Sequence, residues 1–445
     1  MTTDTAISFV HDAQLSAFPP AVCEHLDART LDTLAAITAG YRFPTADVVR
    51  SYAETHHAGA ADGADATLLD ESGERLSPAG ATLVNATAAN ALDVDDGHRA
   101  VKGHPAAVVV PPALATAEAV DGSVSEFRTA VAVGYELAVR AGLAIHATDE
   151  VYTGTGSWGA VGAAAAVARL RNFDRETTAH ALGTAEYHAP RTPIMRGVEQ
   201  PGMTKDGIGW GAFAGLAAAD LAARGFTASG TVFDESSVAV TDDLGDRWYL
   251  TSGYLKPYPC CRWAQPGVDA IRTLRQEHGI DPGSVERIRV HTFEAATHLH
   301  TSRPESAEEA EYSYPFPVAA ALVTGDFTPA ELAAERREDE TILALADRVD
   351  LVVDDDLERR FPAECLARVD LVTASGTYSS DVLRPRGARE QPLTDAERRE
   401  KAAELFEPTV PAETVSRVER VLGDPDARVD CLLEPWQGDT TGRRV

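Results

Sequence analysis

"DGIGWGAFAGLAAADLAARG", residues 206–225, is the stretch on which the fold class turns. It is dominated by alanine and glycine, and such small residues let helix backbones approach closely. The segment therefore predicts a helix packed tightly among other helices. Moving outward, "WGAVGAAAAVARLRN" (158–172), "SVSEFRTAVAVGYELAVRAGLAI" (123–145) and "ALATAEAV" (113–120) have the same character. "PAVCEHLDARTLDTLAAITAG" (20–40) places apolar residues at three- and four-residue steps and ends on Gly40, expected as a C-cap.

After residue 255 the pattern changes. "VERIRVHTF" (285–293) alternates as a strand does, "RVDLVV" (348–353) is a second candidate, and 367–387 reads as a strand or hairpin interrupted by Gly376. Helices are expected at 315–325 and 328–349, and again at 393–408 and 411–424. The expected fold is mainly α with α+β: a large all-helical domain formed by both chain ends (1–254 and 391–445) and a smaller inserted α+β lid (255–390).

The 445 residues exceed one ordinary core, in keeping with two domains. A formal charge of −29 repels nucleic acid and anionic membranes, so neither is an expected partner. The amino terminus lacks a basic region followed by an apolar core, and no window approaches eighteen apolar residues, so a cytoplasmic protein is expected. Five scattered cysteines do not form a disulfide framework, and neither CxxC nor HExxH occurs, which argues against a structural zinc. The acidic clusters around Asp62 to Asp70 and Asp354 to Glu358 read as solvated surface.

Only four of the 40 basic residues are lysines: Lys102, Lys205, Lys256 and Lys401. Lysine is a compact point charge whose pKa moves on burial, whereas arginine stays protonated, so a surviving lysine can mark a place where guanidinium does not fit. Lys205 and Lys256 lie in short polar segments, "MTKDGIGWG" (203–211) and "LKPYPCCRW" (255–263), and are functional candidates. Lys401, in the exposed-looking "ERREKAAEL", and Lys102 are expected to have no special role. "LDVDDGH" (92–98) places Asp93, Asp95, Asp96 and His98 ahead of His104 and an apolar run. Carboxylate and imidazole held together are the ordinary materials of proton transfer.

The blocks "NATAANALDVDDGH…GHPAAVVVPPALATAEA", "AVAVGYELAVRAGLAI", "GSWGAVGAAAAVARL", "MTKDGIGWGAFAGLAAADLAARGFT" and "KPYPCCRWAQPGVDAI" resemble, in order, those of the MmgE/PrpD family. That family contains 2-methylcitrate dehydratases, cis-aconitate decarboxylases and an iminodisuccinate epimerase. The resemblance implies a homodimer with its active site in a cleft between the domains, and no metal or organic cofactor. It implies Asp93, His104, Lys205 and Lys256 as active-site positions.

The implied function is a lyase acting on a small di- or tricarboxylate, foremost dehydration of 2-methylcitrate or a related hydroxy-polycarboxylate by proton abstraction next to a carboxylate. The alternatives are decarboxylation of cis-aconitate or epimerisation, and a non-catalytic carboxylate-binding relative. Lys205 and Lys256 would neutralise carboxylates, with Arg196, Arg262, Cys261 and Thr153 as further substrate contacts. Four departures bear on the reaction: Gly97 replaces a threonine common in relatives, Thr153 and Cys261 stand where decarboxylases carry histidines, and Phe316 replaces a tyrosine. These losses weaken decarboxylation more than dehydration.

Overall fold

A computed structural model describes residues 3–59, 63–149 and 151–437. Its helical part contains α1 (Pro20–Gly40), α2 (Pro78–Asn90), α3 (Pro105–Ala119), α4 (Val124–Thr148), α5 (Thr155–Leu170), the short α6 (Ile194–Glu199) and α7 (Ile208–Ala222). Proline opens α1, α2 and α3, where the missing N–H removes no helical bond. Ser123 and Glu126 form a capping box at the start of α4.

Small residues bring these helices together backbone to backbone. A Cβ on Gly134 of α4 would lie 2.7 Å from the carbonyl oxygen of Gly162 on α5. One on Gly215 of α7 would lie 2.5 Å from the carbonyl oxygen of Ala160, also on α5. Alanine at either place would push α5 away from its neighbours, at a cost of about 1–3 kcal/mol.

Gly40 does not act as a left-handed cap. The helical turn continues into Tyr41, and a Cβ on Gly40 would overlap the carbonyl of Ala88 on α2, so the glycine is needed for packing. The helix expected at 113–120 is the second half of α3, which runs through Pro111 and Pro112. α4 meets the length and composition of a membrane-crossing helix, against the expectation from sequence, yet 83% of its most apolar window is buried inside the protein.

The second part contains α8 (Gln265–His278), β1 (Val285–Thr292), α9 (Pro315–Thr324), β2 (Val349–Val353), β3 (Arg368–Thr373) and β4 (Gly376–Ser379). The sheet order is β2-β1-β3-β4. β1 runs parallel to β2, with Val290 opposite Leu351, and antiparallel to β3, with Val290 opposite Val369. Along β1, Ile288 and Val290 are buried while Arg287 and Arg289 face solvent, the alternation of a half-covered sheet. The single helix expected over 328–349 is broken into turns at 329–332, 334–337 and 340–346. Ala333 is extended, and the Asp339 carboxylate caps the last turn by accepting from the Thr341 N–H.

α10 (Asp395–Phe406) returns to pack on α1. Its Lys401 is buried, contrary to the exposed position expected. The ammonium pairs with Asp32 on α1 and donates to the Val94 carbonyl at 2.8 Å. Asp70 is likewise buried, against Arg50 at 2.5 Å, while Asp62 lies outside the described residues. One contiguous apolar cluster runs from Val108, Leu137 and Trp158 to Ile288, Phe316 and Leu371.

Candidate active site

The segment after α2 and the segment before α8 meet as two antiparallel backbones. Gly97 and Tyr254 exchange N–H···O bonds of 2.9 and 2.8 Å. The pairing brings "LDVDDGH" beside "LKPYPCCRW". A Cβ on Gly97 would overlap the Tyr254 ring, so the phenol fills the space that a larger residue at 97 would occupy.

The three aspartates of the acidic loop divide the work. Asp96 accepts the Ala106 N–H (2.9 Å) at the start of α3 and the Tyr135 hydroxyl (3.0 Å), which anchors the loop. Asp95 Oδ2 lies 3.0 Å from His104 Nδ1, and its Oδ1 accepts from Asn90 at 2.9 Å. Asp93, in the left-handed region at φ 49°, turns one oxygen to Lys256 Nζ (2.6 Å) and the other to His104 Nε2 (3.4 Å). Lys256 Nζ also donates to the Asp93 carbonyl at 2.7 Å. His98 contributes nothing here: its Nε2 lies 3.2 Å from the Tyr249 carbonyl, and burial and Arg29 lower its pKa to about 3.

Burial works against charge on His104, but Asp95 and then Asp93 outweigh it and raise the imidazole to about 9. Near neutral pH the ring is an imidazolium. Lys256 is held above its ordinary value: burial works against its charge, but Asp93 together with Tyr254 and Asp95 outweighs it. Burial raises Asp206, whose Oδ2 accepts the neutral Thr155 hydroxyl at 3.0 Å. Burial also raises the Cys261 thiol to about 12, which leaves it a neutral donor.

These groups share a cavity of about 450 Å³. Asp93, His104 and Lys256 line it together, with Cys261 and Arg262. Arg262 lies over the Tyr254 ring at 4.0 Å, and its buried Nε and Nη1 have no hydrogen-bond partner among the described residues. Buried guanidinium N–H groups left without acceptors are costly unless an anion meets them.

Lys205 stands to one side of this wall. Its ammonium pairs with the buried Glu311 and lies 5.4 Å from the ring of Tyr312, which does line the cavity. Arg196 is exposed and outside the cavity, although Ile194, Met195 and Val198 of the same helix line it. Thr153 is also outside the lining, with its hydroxyl 3.3 Å from His146 Nε2. Sequence reasoning missed Asp95 as the nearer partner of His104, and it missed Asp206, Tyr254, Tyr312 and Arg99 on the cavity wall. Lys102, set aside on sequence, lines the cavity with Nζ 3.5 Å from the Tyr152 ring centroid. A signal for Asp206 was available, since it follows Lys205 directly.

Donor atoms of Asp93, Asp95 and His104 lie within 4.8 Å of one another, a spacing that suits a cation. The Lys256 ammonium on Asp93 and the imidazolium already supply positive charge there, and both would repel a divalent ion.

Such a wall, with one imidazolium, one ammonium and one guanidinium with two unengaged nitrogens over two carboxylates, is suited to moving protons on anionic substrates. The chain matches the family models of the MmgE/PrpD N-terminal domain over residues 5–241 and the MmgE/PrpD C-terminal domain over residues 258–424, and it belongs to this family. The cis-aconitate decarboxylase-like protein oryM of Aspergillus oryzae is 26% identical over 385 residues, covering 78% of this chain and 79% of that protein. A cis-aconitate decarboxylase of Aspergillus terreus is 27% identical over 234 residues, covering 46% of this chain and 47% of its own. The family and these relatives support a lyase-type enzyme.

Proposed function

We propose that this chain is a lyase acting without metal or organic cofactor on a small polycarboxylate, foremost by dehydrating a hydroxy-polycarboxylate such as 2-methylcitrate. The observation that carries the reading is that His104, Lys256 and Arg262, whose Nε and Nη1 lack hydrogen-bond partners among the described residues, line one cavity. Arg262 and Lys256 hold the carboxylates. A carboxylate base removes the proton at the adjoining carbon. Of the two available, Asp93 is tied to the Lys256 ammonium, whereas the bond to Asp206 comes from a neutral hydroxyl, so Asp206 is the stronger base. Negative charge then grows on the substrate carboxylate, where fixed cations stabilise the transition state more than the ground state. His104 Nε2 delivers its proton to the departing hydroxide, which leaves as water. Lys205, paired with Glu311, orders the wall through Tyr312.

A second reading is decarboxylation of an unsaturated tricarboxylate. It is favoured by the imidazolium form of His104, which can also protonate carbon, and by the activity named for the Aspergillus relatives. In either case the protein works as a cytoplasmic homodimer divided at 1–254, 255–390 and 391–445, with the exposed Trp210 and its neighbour Tyr52 (ring centroids 6.3 Å apart) in the face that meets the second copy.

The test is incubation with 2-methylcitrate and with cis-aconitate in deuterated water. Alkene absorbance from the first indicates dehydration, and carbon dioxide from the second indicates decarboxylation. His104→Asn and Lys256→Met should each lower the rate by about 10²-fold or more. No alkene, no gas and no deuterium exchange with any polycarboxylate would overturn the reading.

A further inference from the structure

The cavity lining is chemically mixed, with charged groups that include Arg99 and Lys102 as well as hydrocarbon. Carboxylate-handling groups occupy one wall, but Val151, Ile194, Met195, Val198, Trp263 and Phe361 also line the same space. These are large apolar side chains contributed by separate segments. Ile194, Met195 and Val198 come from consecutive turns of α6, which is tied to the 151–153 segment by the Ile194 N–H donating to the Tyr152 carbonyl at 2.9 Å. Trp263 and Phe361 meet edge to face at 6.0 Å, and Phe293 stacks on Phe361 at 4.3 Å from behind, so the aromatic wall is braced. A substrate made only of carboxylates and hydroxyls would leave this surface wet or bring its own polar groups against hydrocarbon.

Resting on the polycarboxylate reading above, we propose that the substrate carries a hydrocarbon arm of several carbons beside its carboxylates, and that Ile194, Met195, Val198, Trp263 and Phe361 form the subsite for that arm. The carboxylates face Arg262, Lys256 and His104, and the arm runs along α6 toward the mouth, where Val151 and Tyr152 are partly exposed. The sequence offers a reason for the arrangement. "TPIMRGVEQ" places three apolar side chains within five residues of an otherwise polar segment, and Arg196 between them points out of the cavity.

The experiment is a calorimetric binding series on the full chain with succinate and with 2-alkylsuccinates from methyl to hexyl, which hold the charged head constant and vary only the arm. Kd should tighten by about 4-fold per added methylene, the equivalent of about 0.8 kcal/mol. Met195→Gln should flatten that slope to below about 2-fold per methylene, and Met195→Leu, which restores apolar volume, should keep it. If succinate binds but the series is flat, the arm subsite is refuted and the polycarboxylate reading survives. If no member binds, succinate included, the polycarboxylate reading falls and the arm falls with it. A slope that Met195→Gln leaves intact also overturns the subsite.

Discussion

Replacing Lys401 by methionine keeps the length and apolar stem of the side chain and removes only the ammonium. That ammonium is buried between Asp32 on α1 and the Val94 carbonyl, on the back of the loop whose front carries Asp93 and Asp95. Burial already raises the Asp32 carboxyl, with Lys401 the main opposing influence. Breaking a buried pair by removing one partner costs about 3–5 kcal/mol, because the other charge is left uncompensated. At about 2 °C per kcal/mol for a chain of this size, the melting temperature should fall by about 6–10 °C.

The pH dependence has a definite sign. A carboxyl whose folded-state pKa is raised contributes most stability when protonated, and the contribution falls as pH rises through the raised value. The deficit of Lys401→Met should therefore be small at acidic pH, where Asp32 is protonated, and widen as pH rises through the raised value. The double variant Asp32→Leu/Lys401→Met removes both charges and should recover most of the melting temperature. Turnover should not recover with it, because the Val94 tether is still missing and a shift of about 1 Å at Asp93 can cost about 10²-fold. Differential scanning calorimetry across pH, with turnover measured in parallel, reads both quantities. A single variant that melts within about 2 °C of the native protein at about pH 8 would refute the assignment.

Four further outcomes follow from the site and the surface. The rate should fall above about pH 9 as His104 loses its proton, and Asp95→Asn, which removes its main stabilising charge, should move that limb of the pH–rate profile down by a unit or more. The same raised pKa contributes roughly 3 kcal/mol of stability that is complete below about pH 6.5 and lost as pH rises through about 9, which alkaline denaturation measures. Gly97→Thr should destabilise by about 1–3 kcal/mol through overlap with Tyr254, and a thermal double-mutant cycle with Tyr254→Ala should be strongly non-additive. Trp210→Glu should weaken self-association by roughly 30-fold or more if its face joins two copies, which sedimentation equilibrium would detect.

The sequence made the helical part legible because glycines inside helices, as at 134, 162 and 215, have few other uses than close packing, and the structure places all three against a neighbouring backbone. The strand at 285–292 is legible from its alternation, and that at 349–353 from its run of β-branched and apolar residues. What stayed hidden was partnership across long separations. Nothing local to Lys401 marks it as buried, since its partners Asp32 and Val94 lie more than 300 residues away along the chain. Composition selected Lys205 and Lys256 alike, yet only the fold shows that Glu311 engages the first while the second reaches the cavity wall. The acidic loop could be recognised as a cluster, but which aspartate faces which group depends on the left-handed turn at Asp93 and on α3 starting at Pro105. Gly97, which on sequence looks like the loss of a polar group, is where the structure admits a phenol instead. Tyr254 lines the cavity and supports Arg262, so the space beside Gly97 is filled by a phenol that also forms part of the cavity wall.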